Sequence, residues 1–295
     1  MRADALSAAT GRDVWLKLET LQRTRAFKRR GACNALLALA ERHGAELPAI
    51  VSASAGNHGA ALSGIARELG ARLTLFVPKD APRAKIDRLG GRGISIVADC
   101  ASYDEAETRA LAFARRGDGL FISAYNHPDI IAGAGTIALE ILEDMPTTGA
   151  IVVPTGGGGL LAGVGAAADG RVPVIGVEPA GNPAFTSALA AGRTTTIVPG
   201  ASLADGLVGN LEADALTFAL VRDLALPVRL VPESRIVGGV RALFEHERIV
   251  AEGAAAIGVG ALLDGTLADV PDPLVLLVTG ANIDADTFAR VITTP

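Results

Sequence analysis

Four consecutive glycines, Gly156–Gly159, are the strongest candidate for a binding site in this sequence. They follow an apolar run that is typical of a strand and precede a helix predicted to begin near Leu160. Without Cβ atoms, successive backbone N–H groups can converge on one anion, and the helix dipole attracts the same charge. A flexible turn is the simpler interpretation, but four glycines lose much conformational entropy on folding, which favours a site. No Walker or dinucleotide pattern accompanies the run, so we expect a small phosphate as ligand.

Two further segments carry polar groups that could act on a ligand. Lys28 lies in the run Thr-Arg-Ala-Phe-Lys-Arg-Arg-Gly, where a solvated cation is the default interpretation. Ser54–Gly59 form a second turn between a predicted strand and a predicted helix, with the sequence Ser-Ala-Gly-Asn-His-Gly. The N–H groups and the serine hydroxyl of this turn could bind a carboxylate, and an ordinary helix N-cap is an equally good interpretation.

The composition argues against several other classes of protein. A net charge of −5 and a pI near 5.5 do not suit a nucleic-acid partner. The four histidines do not fall at metal-ligand spacings and no Cys-x-x-Cys occurs, so we predict no metal site. Cys33 and Cys100 give no disulfide framework and fit a reducing cytoplasm. The segment from Met1 to Asp13 lacks the features of a signal peptide, and no apolar run reaches the roughly 18 residues of a membrane span.

The elements that must position these residues follow one repeated pattern, in which a short apolar strand enters a Gly- or Ser-rich turn that opens a helix. The strands of this pattern are predicted at Ala49–Ser54, Ala150–Pro154 and Pro273–Val278, and further buried strands at Leu73–Val77, Ile94–Ala98 and Val174–Val177. Val14–Glu19 alternates apolar and polar residues, which indicates a half-exposed strand that leads towards Lys28. Helical patterns such as Gly31–His43 separate the strands, so we predict an α/β fold with parallel sheets.

Together these segments resemble the serine/threonine dehydratase family of fold-type II pyridoxal-phosphate enzymes, over nearly the whole chain. The matching motifs, in chain order, are Leu16–Thr24, Phe27–Ala32, Ser54–Gly59, Ile131–Thr136, Gly156–Gly159, Val177–Pro179, Ala204–Gly206, Glu252–Ala254 and Thr279–Asn282. Their order and spacing together make the resemblance specific. It implies a two-lobed fold like that of the tryptophan synthase β subunit, with parallel sheets flanked by helices. Residues 1–48 and 127–295 would form a large cofactor-binding domain, and residues 49–126 a small inserted domain.

The resemblance also implies a role for each matched residue. Lys28 would hold pyridoxal 5'-phosphate as a Schiff base and later act as the base at Cα of the substrate. The other residues expected at the cofactor are Phe27, Asn57 at the ring hydroxyl, Gly156, Gly157, Gly158 and Gly159 at the phosphate, Glu252 near the ring, and Thr279 at the pyridine nitrogen. The residues expected at the substrate carboxylate are Ser54, Ala55, Gly56, Asn57 and His58, and Tyr125 would lie near the substrate.

The activity implied by the resemblance is that of a lyase, which eliminates water from a small β-hydroxy amino acid such as threonine or serine. The products would be a 2-keto acid and ammonia. A neutral Thr279 hydroxyl cannot protonate the pyridine nitrogen as an acid would, which favours prompt loss of the β-hydroxyl over slower side reactions. We further expect a homodimer in the cytoplasm, a small amino acid as the partner molecule, and neither a nucleic-acid nor a membrane partner.

Four other functions compete with this interpretation. A racemase of the same fold needs a second acid, which in serine racemases is a serine at the position of Ala55 here. A β-replacing synthase would have Ser-Gly-Asn-Thr where this chain has Gly56-Asn57-His58. The stretch from Arg248 to Ala254 resembles dehydratases of hydroxyectoine utilisation. A non-enzymatic anion-binding module is the alternative from a different class.

The sequence departs from the family pattern at several positions. Ala26 replaces the serine that usually precedes the Phe-Lys pair, and Ala134 replaces a common glutamine. Some members bind a divalent cation through the Glu of Val-Glu-Pro and an Asp six residues later. Glu178 is present here, but Ala184 occupies the second position, so the sequence does not predict this cation site and leaves open whether a cation binds near Glu178.

Overall fold

Nine strands form two parallel sheets in residues 1–44, 46–81 and 83–293, which this computed structural model describes. Each sheet belongs to one of two units. The larger unit consists of Met1–Phe27 and Ala134–Pro295, and the smaller unit consists of Lys28–Gly133. We describe each unit by itself.

The sheet of the larger unit is parallel throughout. Its strands, in the order in which they lie side by side, are β1 (Val14–Leu18), β9 (Leu274–Val278), β6 (Ala150–Pro154), β7 (Val174–Pro179) and β8 (Val228–Val231). Every residue of β6, β7 and β9 is buried. Strands covered on both faces need apolar side chains at successive positions, which explains the unbroken hydrophobic runs of β6 and β9.

Helices cover this sheet and supply most of the remaining core. They are α1 (Asp4–Thr10), most of α6 (Pro128–Asp144), α7 (Gly159–Ala168), α8 (Ala184–Ala191), α9 (Leu216–Asp223), α10 (Glu233–Glu247), α11 (Gly253–Leu263) and α12 (Ala285–Thr293), with short 3₁₀ turns at Glu19–Leu21 and Asp205–Leu207. Helix α11 is buried from Gly253 to Leu262 and is apolar on all sides, as expected of a helix enclosed by sheet and helices.

The smaller unit has a four-stranded parallel sheet in the order β4 (Ile94–Cys100), β3 (Leu73–Pro78), β2 (Ile50–Ala53) and β5 (Leu120–Phe121). Its helices are α2 (Lys28–His43), α3 (Asn57–Leu69), α4 (Arg83–Leu89) and α5 (Tyr103–Arg115). The apolar face of α2, including Leu36 and Leu39, shares one core cluster with Leu62 and Ile65 of α3 and Ile50 of β2.

The predicted fold class is confirmed, because both sheets are parallel and flanked by helices. Strands β5 and β8 were not predicted, because they are only two and four residues long and give too short an apolar pattern. The unit boundaries also differ from the predicted division at residues 48/49 and 126/127. Helix α2 buries its apolar stripe against α3 and β2, and that packing groups it with the smaller sheet. None of the helices in the described residues combines the length and apolar character needed to cross a bilayer.

Candidate active site

The glycine run links β6 to α7, as the sequence predicts. Gly158 is the N-cap residue of α7 and has a φ of 82°, in the left-handed region that favours glycine. Packing requires glycine at the same position, because a Cβ on Gly158 would lie 2.3 Å from Cζ of Phe185. The ring of Phe185 therefore packs against Gly158 and leaves no room for a side chain there.

The N–H groups of this loop form a donor set that suits an anion. In the described part of the chain, no acceptor pairs with the N–H groups of Gly156, Gly157 or Gly158. Helix α7 begins at Gly159, so the positive end of its dipole adds to the attraction for negative charge. The hydroxyl of Thr217 donates to the carbonyl of Gly157 at 2.8 Å, on the acceptor side of the loop.

A second group of predicted residues meets where β9 ends and α11 begins. The N–H of Glu252, the N-cap residue of α11, donates to the carbonyl of Gly280 at 3.1 Å. A Cβ on Gly280 would lie 2.5 Å from Oε1 of Glu252, so the carboxylate rests directly on the Gly280 backbone. Thr279 is buried, and its carbonyl accepts the N–H of Phe27 at 2.9 Å. Three segments that are far apart in sequence are thus neighbours within the larger unit.

Lys28 is the first residue of α2, in agreement with its predicted position at a helix start. Its Nζ donates to the carbonyl of Ala124 at 2.8 Å. Lys17, by contrast, forms an ion pair with Glu140 in which Nζ and Oε2 are 2.6 Å apart. The amine of Lys17 is thus already engaged by a side-chain carboxylate of its own unit.

The Ser54–Gly59 turn leads from β2 into α3. The hydroxyl of Ser54 accepts the N–H of Gly56 at 3.2 Å, so this side chain shapes the turn itself. Gly56 is the N-cap residue of α3, and no side chain provides a cap hydrogen bond there. Glycine has no side chain with which to cap a helix, so the side-chain N-cap considered from sequence is not provided by this residue.

His58 is fully enclosed in the smaller unit and lies near the amine of Lys28. Burial, with the positive charge of Lys28 as a smaller contribution, lowers the pKa of His58 to about 3. Its Nε2 faces the carbonyl of Ile122 at 3.4 Å, and within the described residues its buried Nδ1 has no hydrogen-bond partner. The imidazole is thus neutral at physiological pH, so it cannot contribute a positive charge to the binding of a carboxylate.

The candidate cation position is built differently from a metal site. The carboxylate of Glu178 is buried and accepts the N–H groups of Phe185 at 3.0 Å and Thr186 at 2.7 Å. Burial raises the pKa of this carboxyl, and those two backbone N–H groups oppose the shift. In the residues that the structure describes, no three His, Cys, Asp or Glu side chains cluster as metal ligands.

The structure thus divides the predicted residues between the units. Lys28, the turn from Ser54 to His58, and Tyr125 belong to the smaller unit, and Phe27, Gly156–Gly159, Glu252 and Thr279 belong to the larger one. Sequence reasoning missed Ala124, Phe185 and Thr217. Ala124 acts through a backbone carbonyl, and the other two contact the glycine loop from outside every matched motif, so their residue types gave no signal.

Comparisons with known proteins agree with this arrangement of motifs. The family model described as "Pyridoxal-phosphate dependent enzyme" matches residues 1–280. L-threonine ammonia-lyase of Thermotoga maritima is 37% identical over 294 residues, which cover 98% of this chain and 72% of that protein. The structure of maize serine racemase has a TM-score of 0.89 at 30% identity and covers 98% of this chain and 89% of its own. The structure of the processed form of threonine deaminase isoform 2 from Solanum lycopersicum has a TM-score of 0.89 at 29% identity. The match covers 99% of this chain and 85% of that one. The chain therefore belongs to the family of pyridoxal-phosphate dependent enzymes.

Proposed function

We propose that this enzyme is a dehydratase of the ammonia-lyase type. It eliminates water from a small β-hydroxy amino acid such as threonine or serine and releases a 2-keto acid and ammonia. Family membership and the similarity to proteins named L-threonine ammonia-lyase and threonine deaminase support this class of reaction. The observation that favours elimination over racemisation is Ala55, because its methyl group cannot donate a proton to Cα.

Pyridoxal 5'-phosphate fits the groups that are present. The N–H groups of Gly156, Gly157 and Gly158, which have no acceptor within the described ranges, suit a phosphate, and the buried hydroxyl of Thr279 suits a neutral pyridine nitrogen. Among the four lysines of the sequence, Lys28 has the amine that would hold the cofactor. When bound, the cofactor supplies an electron sink that stabilises negative charge at Cα of the substrate.

Three further residues are proposed cofactor contacts. In this proposal Asn57 binds the ring hydroxyl, and Phe27 and Glu252 lie beside the ring. The backbone N–H of Glu252 donates to the carbonyl of Gly280, and the carboxylate of Glu252 lies close to the Gly280 backbone. These assignments follow from the motif matches, and the local geometry around Phe27, Glu252 and Thr279 supports them.

The substrate carboxylate is proposed to bind at the turn from Ser54 to His58. Backbone N–H groups at the N-terminus of α3, together with the helix dipole, would neutralise its charge. Because the imidazole of His58 is neutral, the backbone N–H groups would bind the carboxylate. For the same reason His58 does not act as a second proton donor near physiological pH. Tyr125, next to the carbonyl that holds Lys28, is the residue proposed to face the substrate side chain.

The chemistry required of the protein is the movement of protons. Lys28 removes the proton from Cα, the bond from Cβ to the hydroxyl oxygen breaks, and that oxygen takes up a proton and leaves as water. The enamine released from the enzyme tautomerises and is hydrolysed by water to the keto acid and ammonia. Atoms balance, because the water lost from Cβ is matched by the water consumed in hydrolysis.

Racemisation is the second candidate, and the similarity to maize serine racemase favours its consideration. Inversion at Cα requires a donor on the face opposite the base. The residue in the matched position is Ala55, whose methyl group has no proton to give. A proton returned by Lys28 regenerates the starting isomer, so elimination becomes the net reaction.

The test of this choice is incubation of the enzyme with each L-β-hydroxy amino acid in heavy water, followed by chiral chromatography of the recovered amino acid. We expect keto acid and ammonia with no inverted isomer. Inverted amino acid formed at a rate comparable to keto acid release would favour the racemase instead.

The substrate is best identified with a panel of serine, threonine, hydroxyaspartate, phenylserine and hydroxyectoine breakdown products, assayed for keto acid and ammonia. The last group tests the resemblance of the stretch from Arg248 to Ala254 to the hydroxyectoine dehydratases. Lys28→Ala should lower the rate by a factor of about 10³ or more. Lys79→Ala, at an exposed position, is the matched control and should retain activity. Release of keto acid by the Lys28→Ala variant at the wild-type rate would exclude the proposed base.

We also propose a homodimer and a cytoplasmic location. The dimer follows from the family resemblance, and the two cysteines without a disulfide support a reducing compartment. Light scattering at assay concentration should give twice the chain mass of 30.0 kDa. A fully active species of single-chain mass would remove the dimer from the proposal.

A further inference from the structure

We infer that Thr217 is a positioning residue for the glycine loop, whose hydroxyl aims the N–H of Gly158 at the bound phosphate. The inference rests on the proposed function, in which Gly156–Gly159 bind the phosphate of the cofactor. Thr217 lies on α9, outside the motifs that match the family.

A hydrogen bond joins Thr217 to the glycine loop. Thr217 is fully buried, and its Oγ1 donates to the carbonyl oxygen of Gly157 at 2.8 Å. The carbonyl of Gly157 and the N–H of Gly158 belong to one peptide unit, which is planar and trans, so the two groups point in opposite directions. Fixing the carbonyl on Thr217 therefore turns the N–H of Gly158 away from α9.

Side-chain packing holds this peptide in place. The ring of Phe185 and Cβ of Thr217 lie 2.3 Å and 3.2 Å from the point that a Cβ of Gly158 would occupy. The backbone N–H of Phe185 is held in turn by the buried carboxylate of Glu178 at 3.0 Å. The loop is thus braced by side chains of α8 and α9, and only Thr217 among them also forms a hydrogen bond to it.

A comparison of threonine with valine distinguishes the role of the Thr217 hydroxyl from that of the side-chain shape. Valine has nearly the shape of threonine and would preserve the packing against Gly158, but it cannot donate to Gly157. If threonine served only to fill space, valine would serve equally well. A buried hydroxyl with this single acceptor instead indicates that the bond orients the peptide, since a free peptide at Gly158 could rotate.

The experiment compares Thr217→Val and Thr217→Ser with the wild type and with Thr148→Val. Thr148 is a matched control, because it is also buried and its hydroxyl donates to the backbone carbonyl of Met145 at 2.7 Å. The readouts are the dissociation constant of pyridoxal phosphate from an absorbance titration and the phosphorus-31 chemical shift of the bound cofactor. Neither readout requires turnover.

We expect Thr217→Val to bind the cofactor about tenfold more weakly and to shift the phosphorus resonance, as the loss of one oriented donor would do. Thr217→Ser should restore both values, and Thr148→Val should leave both unchanged while lowering thermal stability. Wild-type values for Thr217→Val, or equal defects in the Val and Ser variants, would overturn the inference. If Thr217→Val does not fold, Thr217→Cys, which keeps the size and weakens the bond, is measured in its place.

Failure of the proposed function would be seen separately. If the wild type itself bound no pyridoxal phosphate, or its phosphorus resonance matched that of the free cofactor, the phosphate site at Gly156–Gly159 would be wrong. A defect that belongs to Thr217 alone appears only against a wild type that binds normally.

Discussion

At the scale of single residues, His58 shows how burial changes the meaning of a motif. From sequence it is one of the residues expected at the substrate carboxylate, where a cation would be an obvious attraction. Enclosure in the smaller unit instead lowers its pKa to about 3 and keeps it neutral. In the proposed carboxylate site, the attraction would therefore come from backbone dipoles instead of a charged side chain.

The first prediction concerns the pH dependence of stability that follows from His58. The unfolded chain takes up a proton below about pH 6.5, whereas the folded protein does so only near pH 3. Stability is therefore fully present above pH 6.5 and is lost as the pH falls from 6.5 towards 3, by up to about 1.4 kcal/mol per pH unit. Denaturant unfolding should show a steeper loss of stability in the wild type than in His58→Gln, which keeps only the part of the slope due to other groups such as His127, whose pKa burial also lowers. His43→Gln, at an exposed position, should keep the wild-type slope, and an identical slope in His58→Gln and the wild type would contradict the burial argument.

The second prediction concerns the contact between Gly280 and Glu252. A Cβ at Gly280 would lie 2.5 Å from the carboxylate, so Gly280→Ala must displace Glu252 and should cost about 1–3 kcal/mol of unfolding free energy. Gly238→Ala is the control, because a Cβ there meets no atom within 4 Å. At this open position in a helix, that change should add about 0.5–1 kcal/mol to the unfolding free energy. Chemical denaturation of both variants measures the difference, and a stable Gly280→Ala variant would count against the contact.

At the scale of elements, three features could be predicted from the sequence: the glycine loop, the start of α2 at Lys28 and the buried strands. Their signals are local: an apolar run, a turn composition and a following helix. The contacts of Phe185 and Thr217 with the glycine loop could not be predicted, because both residues lie on helices that are far from the loop in sequence. Ala124 gave no signal either, since its carbonyl carries the interaction with Lys28.

The third prediction concerns helix α8, whose first N–H groups are held by the carboxylate of Glu178. Glu178→Ala would leave two enclosed N–H groups without an acceptor and should cost about 2–4 kcal/mol. Glu178→Gln keeps one oxygen and should cost less. Glu233→Ala, which removes an exposed carboxylate that accepts the N–H of Leu203, should cost under about 1 kcal/mol. Equal unfolding free energies for the alanine variants at positions 178 and 233 would show that burial adds nothing to this cap.

The same two bonds lead us to expect no strong response to divalent cations at this carboxylate. Both oxygens of Glu178 already accept backbone N–H groups, and Ala184 supplies no second carboxylate. Thermal unfolding with and without magnesium or calcium should give equal midpoints within error. A shift of several degrees that is lost in Glu178→Gln would place a cation there.

At the scale of the whole molecule, the sequence predicts a small inserted domain of residues 49–126, whereas the structure groups Lys28–Gly133 as its smaller unit. The difference lies in α2, whose inward stripe gives no indication in sequence of which sheet it will cover. Its side chains at Leu36 and Leu39 pack with the smaller sheet, and that choice depends on contacts across the fold.

The fourth prediction is that the cofactor stabilises the whole fold by mass action. A ligand that binds only the folded state adds about 2.7 kcal/mol at a concentration one hundred times its dissociation constant. The apoenzyme should therefore unfold at a lower temperature than the enzyme with pyridoxal phosphate. Lys28→Ala should reduce the gain at equal cofactor concentration. A midpoint that does not depend on cofactor concentration would mean that the cofactor does not bind the folded chain specifically.

The most direct test of the central claim is to find which lysine carries the cofactor. The sequence has only four lysines, Lys17, Lys28, Lys79 and Lys85, so borohydride reduction of the enzyme with pyridoxal phosphate followed by peptide mapping gives an unambiguous answer. We predict a pyridoxyl label on the peptide containing Lys28 alone, and no label in the Lys28→Ala variant. A label on any of the other three lysines, with Lys28 unmodified, would contradict the proposed cofactor site and the reaction derived from it.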